Sequence, residues 1–259
     1  MRRHGAARPT SPSTGNAMLL PADAFRHVPA LAGEIIEPEK SYFRRARERL
    51  ALFDRLAQEQ GFPPGWRLTH EAREATRAKA LAGREDDLWL FAYGSLMWDP
   101  AVHIVEIRRA TLQGYHRRFC LKMTMGRGSP EKPGLMAALD RGGVCDGLAF
   151  RIPREHVGRE TEILWAREML TGSYVPSFVA VETPQGSVEA LTFEINRETD
   201  RYVTLEFGEM ARMIANGQGR IGTNLEYLDR LAERLELLGF ADLVLDDLRQ
   251  RARECLPSP

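Results

Sequence analysis

Between Ser41 and Gln60 the apolar residues Phe43, Ala46, Leu50, Phe53 and Leu56 recur at steps of three and four, with arginines and Glu48 between them. At 3.6 residues per turn such steps share one face, so the spacing predicts a helix, and Gly61 with Pro63-Pro64 ends it. A second, more polar stretch, THEAREATRAKALAG, predicts another helix closed by Gly83. After Asp86-Asp87 the pattern changes to short apolar runs. LWLFAY and the β-branched and aromatic residues of HIVEIRRATLQGYHRRFCLKM predict strands, and GRGSPEKPG reads as a loop. LMAALD and GLAFRI read as two strands separated by a turn at Gly142-Gly143. A helix is predicted over Arg154 to Leu170, then a hairpin of SFVAVET and VEALTFEI about the turn PQGS. Near the C-terminus Leu225, Leu228, Leu231, Leu235 and Leu238 repeat by threes and fours up to Gly239. That stripe is too short for a sustained coiled coil and is read as core.

These elements divide the chain into an N-terminal helical extension, residues 1–86, and an α+β main domain, residues 87–259. The first ~17 residues of the extension, rich in arginine, proline and serine, are expected to be disordered, or to precede a natural start at Met18. They lack the apolar core of a secretory signal.

Composition narrows the function classes. Lys plus Arg number 36 and Asp plus Glu number 36, so no overall charge argues for nucleic acid or an anionic membrane as partner. No apolar run approaches the roughly 20 residues that span a bilayer. The three cysteines, Cys120, Cys145 and Cys255, form no C-x-x-C pair, which predicts neither a disulfide framework nor a zinc site and suits a reducing, cytoplasmic setting. The six histidines show no metal-binding spacing, so no metal is expected. Cys120, in an apolar strand-like run, reads as a core thiol.

Two stretches carry candidate chemistry. In YGSL, Tyr93 to Leu96, an apolar strand breaks at Gly94-Ser95. The ordinary reading is a tight turn; the functional one is that Gly94 admits a ligand close to the backbone while successive amides form an anion nest. In LWAREMLTGSYVP, Glu168 falls near the expected C-terminal end of a helix. There the negative end of the macrodipole and the flanking Trp165, Met169 and Leu170 would raise its pKa toward that of a general base. A solvated helix glutamate is the alternative.

YGSLMWDP, GYHRRFC, WAREMLTGSY and GTNLEYL, in that order, resemble the ChaC-like γ-glutamylcyclotransferases over roughly Leu88 to Leu238. The resemblance implies a closed, barrel-like mixed β-sheet flanked by helices. It also implies a lyase that releases 5-oxoproline from a γ-glutamyl amide, with glutathione as the expected substrate and Cys-Gly as the second product. Carried onto this sequence, Tyr93, Gly94, Ser95 and Leu96 are the substrate loop and Glu168 the catalytic acid/base. Tyr115, Tyr174, Asn224 and Tyr227 sit in matching motifs as further binding candidates. The α-amine of the glutamyl group attacks its own γ-carbonyl, so no cofactor is expected. The loop amides would hold either the developing oxyanion or the substrate α-carboxylate. Two rival readings are a cyclotransferase for other γ-glutamyl amines and a non-catalytic binding protein associated with cation transport.

Overall fold

The structure is a computed structural model and describes residues 20–256; the segment expected to be disordered lies outside them. The extension begins with short 3-10 turns between Ala22 and Arg44 and continues into helices α1 (Ala46–Glu59) and α2 (His70–Leu81). A five-stranded sheet follows: β1 (Leu88–Ala92), β2 (Glu106–Met123), β3 (Gly134–Ile152), β4 (Tyr174–Val181) and β5 (Val188–Ile195). Helix α3 (Arg154–Glu168) lies between β3 and β4, and α4 (Phe207–Asn216), α5 (Asn224–Leu237) and α6 (Leu243–Glu254) close the chain.

The strand order is β2-β3-β1-β5-β4, mixed because β1 runs parallel to β5 while its other partner, β3, is antiparallel. The sheet curls until its two edges meet, with Thr111 of β2 and Glu182 just beyond β4 exchanging backbone hydrogen bonds of 2.9 Å. The expected closed barrel is thus a curled half-barrel, its edge strands joined at one bridge. Two further expectations are corrected. The run from 106 to 123 is a single strand, and Gly142-Gly143 is no turn between strands, because β3 passes through it unbroken. Gly114 on β2 and Gly142 and Gly143 on β3 take positive φ, and the register slips between Gln113 and Tyr115. A bulge of this kind bends a long pair without ending it.

The leucine stripe packs as read: Leu228, Leu231, Leu235 and Leu238 are buried in the main core with Leu90, Phe150 and Trp165. Leu20, Phe25, Leu31 and Ile35 of the extension belong to that same cluster. Among the described residues no helix is long and apolar enough to cross a membrane. Cys120 is buried in a strand, and desolvation pushes its thiol up to about 12, as suits an inert core residue.

Candidate active site

The site forms where β1 runs out. Leu90, Phe91 and Ala92 are buried in a strand that ends at Ala92, and Ser95–Met97 coil into a 3-10 turn whose Met97 amide donates to the Gly94 carbonyl at 2.9 Å. The amides of Ser95 and Leu96 precede that first bond and so have no partner within the turn. A Cβ on Gly94 would stand 3.3 Å from the Tyr227 hydroxyl, so glycine keeps loop and phenol at close range.

Opposite the loop, α3 ends at Glu168, two residues before the expected end at Leu170. Its carboxylate is 2.8 Å from the Arg167 guanidinium, and its side chain is 14% exposed. Burial pushes the Glu168 carboxyl above its ordinary value, while Arg167 and Arg49 pull it down without cancelling the rise. Arg167 joins the two halves of the site. One guanidinium nitrogen donates to Ser95 Oγ at 2.7 Å, another donates to the Asp99 carbonyl, and the third faces Glu168.

Tyr93, Gly94, Ser95, Leu96, Glu168, Tyr174 and Tyr227 line one cavity of about 30 Å³, completed by Met136, Ala137 and Phe193. Desolvation pushes the Tyr93, Tyr174 and Tyr227 phenols above their usual range, so all three are neutral donors near neutral pH. Tyr93 spends its proton on the Phe193 carbonyl at 2.7 Å. Larger depressions lie elsewhere; one of about 520 Å³ between residues 33–40 and α5 is walled by interleaved charges including Glu34, Lys40, Arg230 and Glu233 and holds none of the motif residues.

Two candidates stand apart from this cavity. Tyr115 is on β2, where its hydroxyl donates to Glu194 at 3.0 Å. Asn224 is fully buried at the start of α5, accepting from the Leu135 amide at 2.6 Å and donating to the Leu135 carbonyl at 2.7 Å. That double clasp, with the Thr223–Glu226 capping box, sets the helix on β3 and so places Tyr227 one turn later. Asn224 therefore positions the site without lining it. Arg167 is the functional candidate that sequence reasoning passed over. It lies inside WAREMLTGSY, but an arginine beside a glutamate on a helix reads as a solvated neighbour until its 4% exposure is known.

A family model described as ChaC-like protein matches residues 88–255. A glutathione-specific gamma-glutamylcyclotransferase of Escherichia coli (strain K12) is 40% identical over 190 residues, which cover 72% of this chain and 82% of that protein. Glutathione-specific gamma-glutamylcyclotransferase 1 of Mus musculus is 34% identical over 163 residues, 61% of this chain and 73% of the mouse protein. Among solved structures, a yeast gamma-glutamyl cyclotransferase specific to glutathione superposes with a TM-score of 0.61 at 23% identity, covering 66% of this chain and 97% of that one. That likeness is one of fold.

Proposed function

The chain belongs to the ChaC-like family, and from that premise we propose that it is a γ-glutamylcyclotransferase that cleaves glutathione to 5-oxoproline and Cys-Gly. The observation that carries the proposal is the Glu168 carboxylate, desolvated, raised in pKa and facing the YGSL loop across a cavity lined by three neutral phenols.

The chemistry matches that arrangement. The glutamyl α-ammonium passes a proton to Glu168, and the freed amine attacks its own γ-carbonyl. A C–N bond forms within a five-membered ring; the old γ-amide C–N bond breaks as Glu168 returns its proton to the departing cysteine nitrogen, and the extra proton left on the ring nitrogen passes to the released amine, leaving a neutral lactam and a Cys-Gly ammonium. One carboxylate serves as base and then acid. Because nucleophile and electrophile are joined, correct orientation alone is worth up to roughly 7–11 kcal/mol. A glutamate at its ordinary pKa of about 4.3 is a weak base, and the rise through desolvation brings it nearer the working pH. A cytosolic setting is part of the proposal, since Cys120, Cys145 and Cys255 are all free thiols.

The test is to incubate the purified protein with glutathione and read 5-oxoproline and Cys-Gly by mass spectrometry, with Glu168→Gln in parallel. Both products from the parent and a loss of about 10²–10⁴-fold in the variant are expected. Turnover of other γ-glutamyl amines with glutathione untouched would move the substrate assignment. Silence toward all of them would leave a binding protein.

A further inference from the structure

The strap from Ser41 to Arg49 lies before residue 88, where the family match begins. It is bolted to α3 at two points. At the middle of α3, Arg44 grips the fully buried Glu160 with bonds of 2.6 and 3.1 Å and also donates to the Ala101 carbonyl at 3.0 Å. At the C-terminal end, Arg49 of α1, 1% exposed, donates to the Ala166 carbonyl at 2.6 Å. Ala166 is in the last turn of α3, where carbonyls have no helical partner, so Arg49 caps the helix that ends in Glu168.

Beside Arg44 in the strap, Phe43 stacks on the Arg167 guanidinium, 3.8 Å from ring centroid to guanidinium carbon, with the Arg49 guanidinium 5.2 Å from the same ring. The ring faces supply negative quadrupole to two cations that would otherwise repel. Nε of Arg49 is buried and finds no hydrogen-bond partner among the described residues.

We propose that this strap is part of the catalytic apparatus and that Arg49 is a positioning residue, which through Phe43 and the Ala166 carbonyl fixes the Arg167–Glu168 pair and gives it a second buried positive charge. The inference rests on Glu168 being the base. The groups acting on Glu168 are Arg167 beside it, Arg49 from α1, and the phenols of Tyr93 just past β1, Tyr174 of β4 and Tyr227 of α5. Behind Arg49 stand Tyr42 and Arg73. Burial and Arg167 bring Arg49 down to about 10, so it is still a cation at neutral pH. Of these groups only the two arginines favour the Glu168 anion. Removing Arg49 must therefore raise the pH at which Glu168 gives up its proton.

Two readouts on the full chain test this. The first is the pH profile of kcat/KM for Arg49→Met, Arg49→Lys and Phe43→Leu. The second is the carboxyl ¹³C titration of Glu168, assigned through Glu168→Gln. In Arg49→Met both the acid limb and the titration midpoint should move to higher pH, with activity below the limb down about tenfold per pH unit moved. Arg49→Lys should return both toward the parent, and Phe43→Leu should move both by a smaller step. A folded Arg49→Met with limb and midpoint in place overturns the proposal. If Arg49→Met does not fold, an unmoved midpoint in folded Phe43→Leu overturns it equally. A midpoint that rises while the limb stays supports the action of Arg49 on Glu168 and overturns the assignment of Glu168 as base.

Discussion

Helix α3 carries two glutamates eight residues apart, Glu160 fully buried and Glu168 partly so, and the difference between them explains the site. Glu160 is saturated: Arg44 donates to both its oxygens and the His103 amide adds a third bond at 3.1 Å. Glu168 also has an arginine beside it, but that arginine divides its donors among Ser95, the Asp99 carbonyl and Glu168, and the carboxylate borders a cavity. A carboxylate held through both oxygens by three donors is a structural bolt. One held at a single edge and short of solvent has capacity left to take a proton.

The sharpest way to break this comparison is to remove each charge in turn. Glu168→Gln should lower turnover of glutathione by about 10²–10⁴-fold while the thermal melt stays cooperative. Glu160→Gln should do the reverse. It takes from Arg44 its buried anion, leaving the exposed Glu39 at 3.2 Å and the Ala101 carbonyl, at a cost of up to about 3–5 kcal/mol read in urea melts, and the protein that remains folded should lose far less turnover than Glu168→Gln, the strap still being held by Arg49. A Glu160→Gln variant that is stable but inactive would abolish the distinction.

Smaller changes sharpen it. Arg167→Lys keeps a charge but loses the fork that spans the loop and the carboxylate, so kcat/KM should fall by the ~1.5–3 kcal/mol of a charged hydrogen bond, about 10- to 150-fold. Asn224→Ala leaves the Leu135 amide and carbonyl unpaired and should cost about 1–3 kcal/mol of stability. Because Asn224 positions Tyr227 without lining the cavity, kcat should change less than the melting temperature suggests. Tyr115→Phe loses one half-exposed bond to Glu194, worth about 0.5–1.5 kcal/mol, and kcat/KM should stay within about twofold. A tenfold loss there would put Tyr115 in the binding machinery after all.

The pH dependence follows from the same pair. The Glu168 carboxyl is raised by burial, so the active anion should be lost as pH falls through a value above the ordinary carboxylate range. The acid limb of kcat/KM should lie above about 4.3, and an acid limb at or below that value would show an ordinary solvated carboxylate.

How far the molecule was legible from its residues depended on distance along the chain. The helix ending at Glu168, the β4–β5 hairpin and the leucine face of α5 follow from spacing, because backbone geometry imposes periods of 3.6 and 2 on any buried face. The YGSL break was visible for the same reason, as an apolar strand halted by glycine. The long β2 and β3 were misdivided because glycine marks a turn and a bulge alike, and only pairing with a neighbouring strand tells them apart. Tyr115 and Tyr227 sit in equally good motifs, yet one faces Glu194 and the other the cavity. Which face of an element meets the site depends on how the curled sheet stacks on α5, and spacing within a motif does not carry that. Arg44 meets Glu160 across 116 positions and Arg49 meets Ala166 across 117. Nothing local encodes such contacts, so local order determined most of the elements and singled out Glu168 as the candidate base, while long-range packing alone decided which arginines stand around it.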